Sequence, residues 1–223
     1  MPLQLALVQN VPQNDIQVMK MEKTIYDISL LGGHPALDFV NTVDSRGGRW
    51  GPDFLNRYED LVVWARRLDV IDDRERDALL GKANRSASDA ERELGQAKEL
   101  REAMCRLFLS EFNGRPINPH DLDLVARMAN SGLSQRTLGE VGGNIEWRRA
   151  DAKDLDAITN RIAMLAAELL TSRDGRRPVR ACQGPNCGWL FLDQSRGGHR
   201  RWCSDKTCGS HARVRKFRAA QAG

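Results

Sequence analysis

The sequence predicts a mainly α fold with a small β-hairpin, arranged as a helical N-terminal domain followed by a C-terminal finger that consists of a hairpin and a basic helix. Three observations support this fold class. Apolar residues recur at gaps of three and four over most of residues 26–172, which is the spacing of amphipathic helices. A short stretch near residue 140 changes to alternating polarity around a Gly-Gly pair. Four of the five cysteines fall within residues 179–220.

These four cysteines form the pattern C-x4-C-x15-C-x4-C. Two mirrored pairs of thiolates can close a tetrahedron around one Zn²⁺ ion, because ligands a few residues apart fit on one tight loop. A shell filled by four sulfur atoms has no open position, so a structural rather than a catalytic ion is predicted. The pattern leaves two disulfides, an iron–sulfur cluster or a redox site as alternatives. The predicted zinc ligands are Cys182, Cys187, Cys203 and Cys208.

The charge of the chain is unevenly distributed. Residues 173–218 hold 12 Lys or Arg and 3 Asp or Glu, whereas the remaining chain holds 22 basic and 27 acidic residues. A basic tail on an acidic body is typical of a polyanion-binding module joined to a separate globular domain. No stretch approaches the ~20 apolar residues of a membrane span, and the start of the chain lacks a basic signal region. We therefore expect no membrane partner and a cytoplasmic protein with reduced thiols.

Composition also divides the chain into segments. The apolar residues of segment 1–25 do not recur at the spacing of a helix or a strand. This segment is therefore predicted to be a loose N-terminal extension. The helical domain is expected at 26–172, a linker marked by Asp-Gly and Pro at 173–178, and the finger at 179–220.

The helices of the first half are predicted from their starts and their apolar stripes. Pro35 suits the first turn of a short helix, and Asp53 is expected to cap the next one. A shorter helix over 72–82 and a long one over about 89–112 follow. The stripe expected to be buried on the second helix is Phe54, Tyr58, Leu61, Ala65 and Leu68.

The second half of the helical domain contains a helix, a hairpin and another helix. Asn118 followed by Pro119 is a helix start. Residues 137–141 and 145–148, separated by Gly-Gly-Asn, are predicted to form a β-hairpin with Ile145 and Trp147 on one face. Asp151 is expected to open the last helix of this domain.

Arg101 is the most informative residue of the helical domain. It falls in the middle of the apolar face of the long helix, where a guanidinium is costly unless a carboxylate or a bound anion satisfies its donors. One interpretation is an internal salt bridge, with Asp38 as the first candidate partner. The other is a pocket in which Arg101 binds a small acidic ligand.

In the finger, the apolar run 189–192 and the segment 200–202 are predicted to pair as a hairpin that brings the two cysteine pairs together. A basic helix is expected over about 207–220, with Val214 and Phe217 packed on the metal module. The basic side chains expected to contact nucleic-acid phosphates are Arg200, Arg201, Arg213, Arg215, Lys216 and Arg218.

Two segments carry a resemblance to known families. The run Cys182-x4-Cys187-Gly-Trp-Leu-Phe-Leu-Asp, with Arg-Arg-Trp-Cys203 and Cys208-Gly, resembles the bacterial CGNR zinc finger. The segment Gly-His-Pro-Ala-Leu-Asp-Phe-Val-Asn-Thr at 33–42 resembles the start of the ABATE domain. The resemblance implies a bacterial transcription regulator with a ligand-sensing N-terminal domain and a DNA-binding finger. It also makes Asp38 and Asn41 part of the signature of the sensing domain.

These features together give the functional hypotheses. The leading one is a regulator that binds duplex DNA and senses a small, acidic ligand through His34, Asp38, Asn41 and Arg101. A homodimer is compatible with it. The alternative is an adaptor that binds RNA or an acidic protein. An enzyme is ranked last, because no catalytic triad can be assembled from the spacing. One departure concerns recognition: the family's Cys-Gly-Asn-Arg reads here Cys208-Gly209-Ser210-His211, which replaces an arginine by a histidine.

Overall fold

The computed structural model describes residues 23–47 and 51–221. All but the last three residues of the predicted N-terminal extension, residues 1–22, lie outside these ranges. The described chain forms seven α-helices and two antiparallel two-stranded sheets, which confirms the mainly α prediction. The helices are α1 Pro35–Val40, α2 Tyr58–Arg67, α3 Asp73–Arg85, α4 Ala87–Asn113, α5 Pro119–Ser134, α6 Ala157–Thr171 and α7 Ser210–Gln221. The strands are β1 Arg136–Val141, β2 Asn144–Arg149, β3 Val179–Ala181 and β4 Leu190–Leu192.

The core of the helical domain is built around α1, α4 and α6. Helix α1 is short, but five of its six residues are buried, and it contacts α4, α6 and β4. Helix α6 is buried on most of its surface, which explains its continuous run of apolar residues. The predicted stripe of α4 faces the same core, with Leu94, Ala97, Met104 and Phe108 all buried. The helical periodicity of the sequence therefore marks the residues that form this core.

Two helix starts follow the signals in the sequence. Asp72 accepts a hydrogen bond from the backbone N–H of Glu75 at 2.8 Å, and the Glu75 side chain accepts one from the N–H of Asp72 at 3.0 Å. This reciprocal pair satisfies two backbone donors that the first turn of α3 would otherwise leave open. Asn118 caps α5 by accepting from the N–H of His120, with Pro119 in the first turn.

Two other helix starts were predicted too early. Helix α2 begins at Tyr58 rather than after Asp53, because Asp53 closes a local turn onto the N–H of Leu55 and binds Arg101. Helix α6 begins at Ala157 rather than at Asp151. The segment before α6 is held outside the helix, where the N–H of Ala152 donates to the buried carboxylate of Glu75 at 2.8 Å.

The hairpin of the finger pairs differently from the prediction. Strand β4 pairs with β3, with Arg180 opposite Phe191, and residues 200–202 form no strand. The prediction was wrong because three residues before Cys182 supply the partner strand instead. The N–H of Gln183 still donates to the carbonyl of Arg201 at 2.9 Å. An isolated backbone hydrogen bond, rather than a paired strand, therefore joins these two halves of the finger.

The finger and the helical domain share one apolar core. The buried cluster that contains Leu37, Phe39 and Met104 also contains Val179, Leu190, Phe191 and Cys203. The segment between them, predicted as a linker, is anchored as well: Arg176 binds Glu111 at 2.5 Å and the carbonyl of Leu169 at 2.7 Å. The two halves of the chain are thus packed against each other.

A search of the described helices for a bilayer-spanning segment finds none of sufficient length and apolarity.

Candidate metal centre and nucleic-acid interface

The structure brings the four predicted cysteines together. Their sulfur atoms all lie within 4.8 Å of one another. The Sγ of Cys203 is 3.7 Å from that of Cys187 and 3.8 Å from that of Cys208. A tetrahedral ion with Zn–S bonds of about 2.3 Å separates its sulfur ligands by about 3.8 Å, so the cluster has the dimensions of a Zn(Cys)4 site. These separations also exclude disulfides, and all five cysteines are free thiols.

The first pair of ligands lies on a tight loop between β3 and β4. Asn186 and Gly188 both have positive φ, 62° and 67°, which turns the chain sharply before and after Cys187. Gly184 has a different role, because a Cβ atom there would lie 2.8 Å from both Cβ and Sγ of Cys208. Only glycine at this position lets the two cysteine loops approach closely enough to share an ion.

The sulfur atom of Cys182 is the most strongly hydrogen-bonded of the four. It accepts from the backbone N–H of Cys203 at 3.2 Å and of Gly184 at 3.4 Å. Thiol donation from Cys187 and Cys203 adds to these bonds and lowers the pKa of Cys182 to about 2. Donation to Cys182 in turn raises the pKa of Cys187 to about 12. Zinc binding must therefore displace protons from the other thiols, so metal affinity falls as the solution is acidified.

The second cysteine loop is held by Asp193 and Arg200. Asp193 is fully buried and accepts hydrogen bonds from the N–H and Oγ of Ser195 and from the N–H of Arg200. The Arg200 guanidinium donates to the carbonyls of Trp202 and Cys203 and lies 4.3 Å from the centre of the Phe191 ring. The sequence predicts a turn over residues 193–198 after the apolar run, and the hydrogen bonds of Asp193 stabilise a turn at this place.

The finger docks onto the segment around α1. The side-chain amide of Asn41 donates to the carbonyl of Leu190 at 2.8 Å and accepts from its N–H at 2.9 Å, so it pairs with β4 as a strand would. The Trp189 indole donates to the carbonyl of Val43 at 2.7 Å. Arg46 donates its backbone N–H to the carbonyl of Cys187 at 2.7 Å. The loop between β3 and β4, which contains Cys182 and Cys187 and is called the zinc loop below, is therefore hydrogen-bonded directly to the helical domain.

The remaining signature residues of this segment also serve docking and capping. His34 caps α1 by accepting from the N–H of Ala36 at 3.2 Å, and burial lowers its pKa. Asp38 is buried, which raises its pKa to about 6, and it accepts from the N–H of Gly32 at 2.8 Å. The carbonyl of Gly32 accepts in turn from Leu192 of β4 at 2.9 Å. Asp38 and Asn41 thus support the contact with the finger, and His34 starts the helix that carries Asp38.

Arg101 is satisfied by other side chains. Its guanidinium donates to both carboxylate oxygens of Asp53 at 2.8 Å, to the Thr42 hydroxyl at 3.1 Å and to Glu102 at 2.9 Å. The internal salt bridge is therefore what the structure shows, and its partner is Asp53 rather than the expected Asp38. Glu102 also binds Arg46 at 2.6 Å, so the network reaches the residue that fastens the zinc loop.

The predicted phosphate-binding residues fall into two groups. Arg200, Arg201 and Arg213 already bind within the finger: Arg200 to carbonyls, Arg201 to Gln183 at 2.8 Å and Arg213 to Asp205 at 2.8 Å. The other three lie exposed on α7 and form no ion pair with the described residues: Arg215, Lys216 and Arg218.

Helix α7 has no buried residue. The prediction that Val214 and Phe217 pack on the zinc module was wrong, since they are 45% and 64% exposed. The helix follows a π-helical turn, Asp205–Gly209, that contains Cys208. Zinc ligation therefore fixes the base of a helix on which Val214, Phe217 and the cations Arg215, Lys216 and Arg218 are exposed to solvent.

Comparison with known families agrees with this architecture. Residues 33–173 match the ABATE family, described as "Putative stress-induced transcription regulator". Residues 179–221 match the CGNR zinc finger. No curated protein matches the chain.

Proposed function

We propose that this chain, which belongs to the ABATE family and carries a CGNR zinc finger, regulates transcription by binding duplex DNA through α7. The observation that carries the proposal is the exposure of Arg215, Lys216 and Arg218 on a helix anchored by a zinc ligand. Because these cations form no ion pair with the described residues, they are available to neutralise DNA phosphates. The electrostatic attraction to phosphates is often the largest contribution to the affinity of a protein for DNA.

The apolar residues of α7 support a groove contact. Val214 and Phe217 are exposed beside these cations, and apolar side chains contact thymine methyl groups in the major groove. His211, which stands where the family has arginine, is exposed at the start of α7. Arg215 lies one helical turn further along the same side and supplies the missing positive charge there.

The experiment is a fluorescence anisotropy titration of duplex DNA with the zinc-loaded chain at several salt concentrations. The variant Arg215→Ala/Lys216→Ala/Arg218→Ala removes the three cations. A matched control, Arg74→Ala/Arg115→Ala/Arg127→Ala, removes the same charge from exposed positions of the helical domain.

We expect the α7 variant to bind more weakly and to reduce the slope of log K against log salt by about 2 to 3, because each phosphate contact contributes about 0.9. Equal slopes for the α7 and control variants would exclude α7 as the DNA-binding element. Equal affinity of the wild type for single-stranded RNA and heparin would favour the adaptor function instead.

Sensing by the helical domain is the second half of the proposal, at a different place from the one expected. The donors of Arg101 are occupied by Asp53, Thr42 and Glu102, so it offers little to a ligand. A cleft of about 460 Å³ opens beside the N-terminal half of α4. Its charged lining consists of the cations Lys82 and Arg92 and the carboxylates Asp89, Glu93, Asp154 and Asp156.

This excess of carboxylates favours a cationic or neutral ligand over the acidic one that Arg101 suggested. A thermal-shift screen with small amines and small carboxylic acids tests it. We expect stabilisation by amines alone, abolished in Glu93→Gln. Stabilisation by carboxylic acids alone would exclude this cleft. Neither family is described as an enzyme family, so the proposal includes no catalytic step.

A further inference from the structure

The four clustered cysteines differ in how far solvent reaches them. Cys182 and Cys203 are buried residues, whereas Cys187 and Cys208 are partly exposed. Of the four ligating groups themselves, only that of Cys208 is not buried. A reagent that attacks sulfur must first reach it, so oxidation of a cysteine cluster is selective for the accessible thiolate. Cys208 is therefore the ligand that an oxidant meets first.

The helical domain covers one of the two partly exposed cysteines and leaves the other open. The carbonyl of Cys187 accepts a hydrogen bond from the N–H of Arg46 at 2.7 Å. A Cβ atom on Gly188 would lie 3.1 Å from the Cβ of Arg46, so the zinc loop lies directly against the helical domain. Cys208 instead lies in the turn Asp205–Gly209, in which the three residues before it are exposed. The approach to its sulfur is from this open side.

A second sulfur atom is placed to react with Cys208 once it is oxidised. The Sγ of Cys203 is 3.8 Å from that of Cys208, and Cys203 is almost completely buried. The Sγ of Cys182 is less suited to react, because two backbone N–H groups donate to it at 3.2 and 3.4 Å and stabilise its charge. A thiolate next to an oxidised sulfur displaces the oxygen and forms a disulfide. Cys203 is the sulfur that the geometry favours for this step.

We propose that Cys208 is an oxidation site for hydroperoxides, and that Cys203 converts its oxidised form to a disulfide with loss of the zinc ion. In the first step the Cys208 thiolate attacks an oxygen of the hydroperoxide, the O–O bond breaks, and an alcohol or water leaves after taking up a proton. In the second step the Cys203 thiolate attacks the Cys208 sulfur, the S–O bond breaks, and the hydroxide leaves as water after protonation. The two thiolates together lose two electrons, which the peroxide bond gains.

The disulfide would leave only two thiolates for the ion, those of Cys182 and Cys187. A structural zinc site needs four ligands, so the ion is expected to dissociate. Helix α7 begins directly after the turn that contains Cys208 and packs against it. Oxidation therefore removes the metal anchor at the base of α7. The inference does not rest on DNA binding by α7, because its test follows sulfur chemistry and zinc release alone.

The test treats the zinc-loaded full chain with hydrogen peroxide and follows zinc release with a chromophoric indicator. A parallel reaction contains dimedone, which traps sulfenic acids, and peptide mass spectrometry locates the adduct. We expect the first adduct on Cys208. Without dimedone we expect a Cys203–Cys208 disulfide and release of about one zinc ion per chain. Dithiothreitol with added zinc is expected to restore the loaded chain, because a disulfide is reversible.

Two ligand replacements separate the position of the sulfur from the mere loss of a thiolate. Cys208→His and Cys187→His each keep a nitrogen ligand for zinc and leave three thiolates. We expect peroxide to release zinc at least about tenfold more slowly from Cys208→His, because only this variant lacks the accessible sulfur. Cys105→Ala removes the buried fifth cysteine and is expected to release zinc at the wild-type rate.

Zinc content is measured before peroxide is added. If either histidine variant does not load, the site of the dimedone adduct in the wild type decides. Four results would overturn the proposal. They are a wild type that keeps its zinc in peroxide, a first adduct on any cysteine other than Cys208, a disulfide that excludes Cys203, and equally fast zinc release from the two loaded histidine variants.

Discussion

Arg101 is almost fully buried on α4 and is bound by carboxylates from two directions. Burial of an ion pair costs desolvation energy that its attraction only roughly offsets, so the pair itself adds little net stability. Removal of one partner is a different matter, because it leaves the other charge buried without compensation. The bidentate contact with Asp53 therefore specifies how the loop before α2 lies on α4, and it ties that loop to the network that includes Arg46.

We predict that Arg101→Met lowers the free energy of unfolding by about 3–5 kcal/mol. Lys98→Met is the matched control, since Lys98 lies on the same helix, 3.6 Å from the same Asp53 carboxylate, and is one-third exposed. Its loss should cost less than about 1 kcal/mol. Urea denaturation followed by circular dichroism measures both. If the two substitutions lowered the free energy of unfolding equally, the loss could not be attributed to burial of the Arg101 guanidinium.

Gly184 is the residue on which the closeness of the two cysteine loops depends. We predict that Gly184→Ala weakens zinc binding about 10- to 100-fold, the range typical of residues that support metal ligands, because its Cβ would displace Cys208. Gly175→Ala is the control, since a Cβ there meets nothing within 4 Å. Competition with a chromophoric chelator measures the affinity. Unchanged affinity in Gly184→Ala would mean that the loops adjust freely.

Among the elements, α3 and α6 are joined by a buried ion pair. Arg161 of α6 binds Glu75 of α3 at 2.6 Å, and both side chains are less than 10% exposed. Burial alone would raise the pKa of Glu75, but hydrogen bonds from Arg161 and from the N–H groups of Asp72 and Ala152 lower it to about 2. The pair thus fixes the segment before α6 as well as the two helices.

This pKa gives a prediction about acid stability. A carboxylate whose pKa falls from 4.5 unfolded to about 2 folded contributes about 3 kcal/mol above pH 4.5, and this contribution is lost as the pH falls from 4.5 to 2. Glu75→Gln should therefore be less stable than the wild type by about 3 kcal/mol at pH 7, and the difference should shrink below pH 4.

Urea denaturation at pH 7 and pH 3 checks this prediction. The exposed pair of Asp89 with Arg92 supplies the control, because Asp89→Asn should change stability by less than about 1 kcal/mol at either pH. A difference between Glu75→Gln and the wild type that is the same at both pH values would contradict the assigned pKa.

The elements also show what the sequence could and could not predict. The zinc ligands followed from the spacing of the cysteines, and α5 followed from its Asn118 cap and Pro119, because these signals are local. The pairing of β4 with β3 could not be predicted, since β3 has only three residues and no alternating pattern of its own. The partner of Arg101 was missed for a related reason. Asp53 has the sequence context of a helix cap, and only the tertiary fold brings its carboxylate to Arg101 on α4.

At the scale of the whole molecule, residues 23–47 and 51–221 form one folded unit with a basic helix at its edge. The buried apolar cluster runs from α3 and α6 through α1 into β4 and the zinc loop. The segment that resembles the ABATE signature joins the helical domain to the finger, because Gly32, Asn41 and Val43 all hydrogen-bond to the finger. Zinc ligation should therefore stabilise helices that contain no zinc ligand.

Hydrogen exchange of the full chain before and after zinc chelation tests this coupling most directly. We predict that removal of zinc speeds exchange at least tenfold in α1 as well as in the finger, because α1 loses the strand β4 that packs against it. Amides of α3, which packs against α2 and α4 and shares no hydrogen bond or ion pair with α1 or the finger among the described residues, should change far less. Loss of protection in the finger alone, with α1 unchanged, would contradict a shared folded unit.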